Sequence, residues 1–157
     1  MKKTLKLLLI EDDEMKRQMV IGTISKEFSD STVKTVNSVR TAIDTLTRSS
    51  FDLVVADMSL PTFDIEIRER GGTPRPFGGI EIFDYLERIE RRVPVLVVTS
   101  YPALTDGKKS LSVRDLEQQL RMDYPVNFAG IVYFDSAYSD WEREMTKLLS
   151  EIFDKEC

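Results

Sequence analysis

Histidine does not occur in this 157-residue sequence, and cysteine occurs once, as the final residue, Cys157. The first absence removes the commonest general base and the commonest transition-metal ligand. The second excludes a disulfide framework and a set of zinc-binding thiolates, and it points to a reducing cytoplasm. Positive charge is also short: 22 Lys and Arg stand against 27 Asp and Glu, a formal charge of -5. That balance argues against an electrostatic grip on nucleic acid or on an anionic membrane, so proteins and small ions are the expected partners. Long apolar runs are missing as well. Lys2 and Lys3 before Leu7 to Ile10 begin like a secretion signal, but the acidic stretch Glu11 to Glu14 cuts the run short, and the segment reads as a first β-strand.

With 41% hydrophobic and 31% charged residues, residues 1–157 are expected to form one domain whose core suffices for folding. Apolar runs suited to buried strands lie at Leu5 to Ile10, Val33 to Val36, Leu53 to Ala56, Val95 to Val98 and Ile131 to Phe134. Between them the period turns helical. A helix from about Glu14 to Phe28 would pack through Met15, Met19, Ile24 and Phe28, and a second, capped by Asn37 or Ser38, through Val39, Ala42, Ile43 and Leu46. A third follows Gly78 and Gly79, a fourth spans Ser112 to Met122, and a last one carries Trp141, Met145, Leu148, Leu149 and Ile152. This alternation predicts an α/β fold, a parallel sheet with helices on both faces. No repeat, low-complexity tract or linker suggests a separate output domain. Two connections, about 58–78 and 100–111, exceed the ~2–6 residues usual in such folds. Both follow strand carboxyl ends, the edge where open parallel sheets bind ligands.

The chemistry gathers at that same edge. Glu11 and Asp12 follow the first strand and Asp57 follows the third, so a parallel sheet brings their carboxylates together. Such groups repel each other, and a hard divalent cation, Mg²⁺ or Mn²⁺, relieves the repulsion through oxygen ligands. Asp57 could then attack a phosphoryl group as a nucleophile. Thr99, ending the fourth strand, could donate its hydroxyl to a phosphoryl oxygen. With no histidine in the chain, a phosphohistidine donor has to be another protein.

The stretches LLLIEDDE, FDLVVADMSLP and PVLVVTS resemble the leading signatures of bacterial response-regulator receiver domains, and the resemblance spans nearly the whole chain. It implies a doubly wound, five-stranded parallel sheet in the flavodoxin-like order 2-1-3-4-5. By the same resemblance Asp57 is the phosphoacceptor, Glu11 and Asp12 the acidic pair, the Ser59 carbonyl a metal ligand and Thr99 the switch hydroxyl. Tyr133 matches the family's aromatic switch residue. The partners implied are a sensor histidine kinase or phosphotransfer protein and a downstream protein target, in a two-component phosphorelay whose only catalysis is the receiver's own phosphorylation and dephosphorylation.

One position departs from the pattern. The family carries a lysine three residues after the aromatic, and IVYFDSAYSDW places Ser136 there, with Ala137 where a proline usually follows. A Mg²⁺-loaded trio of carboxylates would then keep one uncompensated negative charge, which predicts slower phosphoryl transfer and altered coupling to the surface. Arg68, Arg70, Arg75, Lys108 and Lys109, in the two long connections, are candidates to supply the cation. The departure also motivates a second reading, a pseudo-receiver that binds a partner whether or not Asp57 is modified. A third, a Mg²⁺-dependent phosphohydrolase of the haloacid-dehalogenase type, would need a second Asp two residues after the nucleophile, and that position is Ser59.

Overall fold

The computed structural model describes residues 4–61, 77–100, 103–106 and 109–154. In chain order the elements are β1 (Lys6–Ile10), α1 (Glu14–Glu27), β2 (Thr32–Val36), α2 (Val39–Arg48), β3 (Leu53–Ala56), α3 (Ile80–Arg88) and β4 (Val95–Thr99). There follow β5 (Ala103–Asp106), β6 (Lys109–Ser112), α4 (Val113–Asp123), β7 (Phe128–Tyr133) and α5 (Asp140–Asp154). Five strands form one parallel sheet in the order β2-β1-β3-β4-β7. With β7 counted as the fifth strand of that sheet, this is the doubly wound 2-1-3-4-5 order expected from the sequence.

Apart from Lys6 at the start of β1 and Thr99 at the end of β4, the three central strands are apolar because both of their faces are covered. Leu8, Ile10, Val54, Ala56, Val95 and Val97 point to one face and pack with Val39, Ala42 and Leu46 of α2, Ile82, Phe83 and Leu86 of α3, and Leu116 and Leu120 of α4. Their neighbours Leu7, Leu9, Leu53, Val55, Leu96 and Val98 point the other way, onto Val20 and Ile24 of α1 and Trp141, Met145 and Leu149 of α5. The period-2 alternation of strand side chains thus sorts one apolar run into two cores.

Local chemistry sets the element ends. Asp13 caps α1 by accepting the Lys16 N–H at 2.9 Å, Ser38 caps α2 and Ser112 caps α4. Near the start of β7 the register slips against β4, and Gly130 takes a φ of 150°, a conformation open to glycine. A Cβ there would lie 3.0 Å from Leu148, so the glycine lets α5 settle close to the strand.

Two features differ from the sequence expectations. Of the apolar face assigned to α1, Ile24 is buried, but Met15 is 58% exposed, and the helix instead turns Lys16, Val20, Thr23 and Ile24 inward. The 100–111 connection contains a hairpin, with β5 and β6 pairing antiparallel so that Leu104 stands opposite Leu111. A two-residue connection beginning with Gly107 is a recognised hairpin signal that the loop reading passed over. Of the 58–78 connection, residues 62–76 lie outside the described residues, and with them Arg68, Arg70 and Arg75; Lys108 does too.

Candidate functional site

The parallel register places the carboxyl ends of β1, β3 and β4 side by side. Ile10 pairs with Ala56 and Ala56 with Val97, so Glu11, Asp57 and Thr99 each emerge at the same rim. There one carboxylate oxygen from each of Glu11, Asp12 and Asp57 lies within 4.8 Å of the others. Glu11 and Asp57 are buried, 2% and 5% exposed, while Asp12 is half-buried. Together with Asp13, Lys16, Ser59 and Ser100 they line a cleft of about 170 Å³.

Asp57 is held at both oxygens. Its Oδ1 accepts the Met58 N–H at 2.7 Å and the Ser59 N–H at 3.3 Å. Its Oδ2 accepts from the Lys16 ammonium at 2.9 Å. The backbone beneath is equally constrained. Gly79 donates its N–H to the Met58 carbonyl at 2.8 Å, and a Cβ on Gly79 would fall 2.4 Å from the Asp57 carbonyl oxygen. Gly79, which caps α3, is therefore what allows that helix to dock under the acidic loop.

Among the described residues the cation of the site is Lys16, and it comes from the first turn of α1. Its Nζ lies 2.8 Å from Glu11 Oε1, 2.9 Å from Asp57 Oδ2 and 2.8 Å from the Val98 carbonyl oxygen. An ammonium has three N–H donors, and all three have partners here. The Phe134 ring sits 5.8 Å from the same nitrogen and closes the apolar side. Glu11 turns its other oxygen, Oε2, to the Asp13 N–H at 3.1 Å. Capping of α1 therefore falls to Asp13, and Asp12 is left facing the cleft.

Protonation at the site reflects burial first. Burial raises the Glu11 pKa to about 7; Lys16 opposes the shift and Asp57 adds to it. Asp57 is raised too, chiefly by burial, with Lys16 and the two backbone N–H groups working against it. For Lys16, burial disfavours the charged form, but attraction to Asp57 and Glu11 outweighs it and raises its pKa. Among the described residues three clustered carboxylates face one ammonium, an excess of acidic oxygens that complements a divalent cation. The oxygen-only donor set suits a hard ion such as Mg²⁺.

Other expected residues are placed less centrally. Thr99 is fully buried at the end of β4, and its carbonyl accepts the Phe134 N–H at 2.7 Å. Tyr133 stands opposite Thr99 in the β4–β7 register and is 39% exposed. Ser136 lies in the exposed turn after β7 and does not line the cleft. Lys16 escaped the sequence reading because a lysine in a first helical turn reads as a solvated charge. Its spacing carried a signal: Lys16, Val20 and Ile24 recur every four residues, so they share the stripe that faces the sheet.

The model of the response regulator receiver domain family matches residues 7–116. The chain belongs to that family, a signalling module of two-component systems. Its match to the Detocs response regulatory protein DtcB of Vibrio alginolyticus is 25% identical and covers 91% of this chain and 98% of that protein. Among solved structures, the phosphorylated cyanobacterial phytochrome response regulator RcpA superposes with a TM-score of 0.65 at 16% identity, over 99% of this chain and 97% of that one. The receiver domain of a Pseudomonas aeruginosa sensor histidine kinase, solved with a magnesium ion coordinated in its active-site cleft, superposes with a TM-score of 0.59 at 14% identity, over 95% and 97% of the two chains. The family match ends before β7, so Tyr133 and Ser136 lie beyond it. No helix among the described residues is long and apolar enough to cross a membrane.

Proposed function

We propose that this receiver accepts a phosphoryl group on Asp57 from a phosphohistidine on a sensor kinase or phosphotransfer protein. The observation that carries the reading is the clamp on Asp57, a buried carboxylate at the floor of an open cleft with two further carboxylates beside it. A lone pair of an Asp57 carboxylate oxygen forms the new O–P bond while the P–N bond of the donor breaks, and the imidazole nitrogen keeps that electron pair. The Met58 and Ser59 N–H groups hold the carboxylate in place throughout. Glu11, Asp12, Asp57 and the Ser59 carbonyl are the groups that would hold Mg²⁺ or Mn²⁺. Such an ion neutralises charge on the transferring phosphoryl oxygens.

In this reading the Thr99 hydroxyl senses the phosphoryl group, and Tyr133, which pairs with Thr99 across β4 and β7, carries the change to the surface read by a downstream protein. Incubation with Mg²⁺ and acetyl phosphate, followed by intact mass, tests the reading. A phosphoryl adduct is expected on the native chain, with none on Asp57→Asn or after chelation of the metal. Absence of the adduct from the native chain, or its survival in Asp57→Asn, rejects it.

A second reading has one observation in its favour. The Lys16 ammonium already pairs with Glu11 and Asp57, so the site is partly neutralised without any ion. A pseudo-receiver that engages its partner in this state would bind it equally well as native chain and as Asp57→Asn.

A further inference from the structure

We propose that Lys16 is the phosphoryl-binding cation of this receiver, supplied by the first turn of α1 in place of the residue missing at position 136. The inference rests on the reading of Asp57 as phosphoacceptor. Its ground is positional: Nζ lies 2.9 Å from Asp57 Oδ2, a reacting carboxylate oxygen, and Lys16 lines the cleft through which a donor must approach. Ser136, by contrast, is exposed and away from that lining.

The side chain is built for the task. Its stem is buried on the α1 stripe above Val20 and Ile24, so little freedom is left to lose when a ligand arrives. Lysine presents a compact point charge with rotatable donors rather than a rigid planar fork. The ammonium can therefore pass one N–H from Asp57 Oδ2 to a phosphoryl oxygen while keeping its bonds to Glu11 and Val98. Loading Asp57 replaces one negative charge by roughly two at the same spot, so the attraction grows as the phosphoryl group is installed. The third N–H of the buried ammonium is satisfied by backbone. That bond goes to the carbonyl of Val98, next to Thr99, so movement of the ammonium is felt at the end of β4.

The relocation also changes where the signal emerges. A lysine after β7 would pull on the start of α5 directly, whereas Lys16 pulls on α1. The two helices are joined lower down, where Ser150 donates to Glu27 at 3.0 Å and Phe28 meets Phe153 edge-on at 5.1 Å between ring centres. A pull on α1 can thus reach α5 through these contacts.

The test uses the whole chain with Mg²⁺, acetyl phosphate and beryllofluoride. Comparing native chain with Asp57→Asn by intact mass first decides the Asp57 reading, and its failure there takes this inference with it. Lys16 is then judged separately. In Lys16→Met, phosphorylation is expected to slow at least tenfold and beryllofluoride binding to weaken at least tenfold, while Mg²⁺ alone binds no more weakly, because a competing cation has left the carboxylates. Unchanged rate and unchanged beryllofluoride affinity in folded Lys16→Met overturn the assignment and leave Asp57 standing. A joint loss of Mg²⁺ and beryllofluoride binding marks Lys16 as structural support only and overturns it too. Should the variant not fold, the ammonium resonance of ¹⁵N-lysine-labelled native chain decides. The signal of the buried Nζ is expected to move on adding beryllofluoride beyond any shift caused by Mg²⁺, and a stationary signal overturns the proposal.

Discussion

Two corners of the sheet's carboxyl edge make an instructive contrast. At the β1–α1 corner the chain turns from strand to helix in three residues, and Glu11, Asp12 and Lys16 all reach the cleft. At the β7–α5 corner the connection is six residues long, and Tyr133, Ser136 and Tyr138 lie exposed. The family resemblance assigns the site's cation to the second corner; among the described residues the ammonium at the carboxylates comes from the first. A charge at an active edge is specified by where its Nζ lands, and different chain positions can reach one point. What the β7–α5 corner keeps is an apolar contribution: Phe134 packs at 4.8 Å from Trp141 and roofs the Lys16 ammonium.

The contrast can be broken most severely at Lys16. Its removal strands Glu11 and Asp57 as buried carboxylates without a cation, a change that typically costs about 3–5 kcal/mol. Lys16→Met is expected to lose stability on that scale in urea unfolding without divalent ions, and titrated Mg²⁺ should narrow the gap by binding the folded state. Equal stability of variant and native chain without metal would show the ion triad to be incidental.

A smaller effect is expected beneath the site. Gly79→Ala drives a Cβ into the Asp57 carbonyl and the Met58 side chain, and overpacking of this kind costs about 1–3 kcal/mol. Because the strain lands on the backbone that aims Asp57, the adduct should also form more slowly. A variant with native melting temperature and native rate would mean that the α3 docking does not position the carboxylate. The smallest effect is expected at the β7–α5 corner, where Ser136→Ala should change stability by less than about 0.5 kcal/mol and leave the phosphorylation rate alone. A marked rate change there would return the corner to the chemistry.

Much of this was legible in the residue order because it depends on local pattern. Uninterrupted apolar runs such as Leu53 to Ala56 identify strands covered on both faces, and acidic residues directly after them mark a rim that parallel pairing must assemble. The caps at Ser38 and Ser112 follow from side-chain chemistry within three residues. The inner face of α1 was not legible in the same way. Met15 and Lys16 are adjacent, a rotation of one residue decides which turns inward, and hydrophobicity favoured the wrong one.

By itself, then, the sequence determined the alternation of the five parallel strands and five helices and the meeting of Glu11, Asp12 and Asp57, since these follow from period, propensity and parallel pairing, while the strand order was implied by the family resemblance and the β5–β6 hairpin came only with the structure. Only the tertiary structure decided the partner of those carboxylates. The helix rotation that seats Val20 and Ile24 against the sheet also carries Lys16 into the cleft, and two buried carboxylates with the Val98 carbonyl give its ammonium three acceptors in place of water. That balance of burial and charge exists only once strands distant in sequence have been brought together.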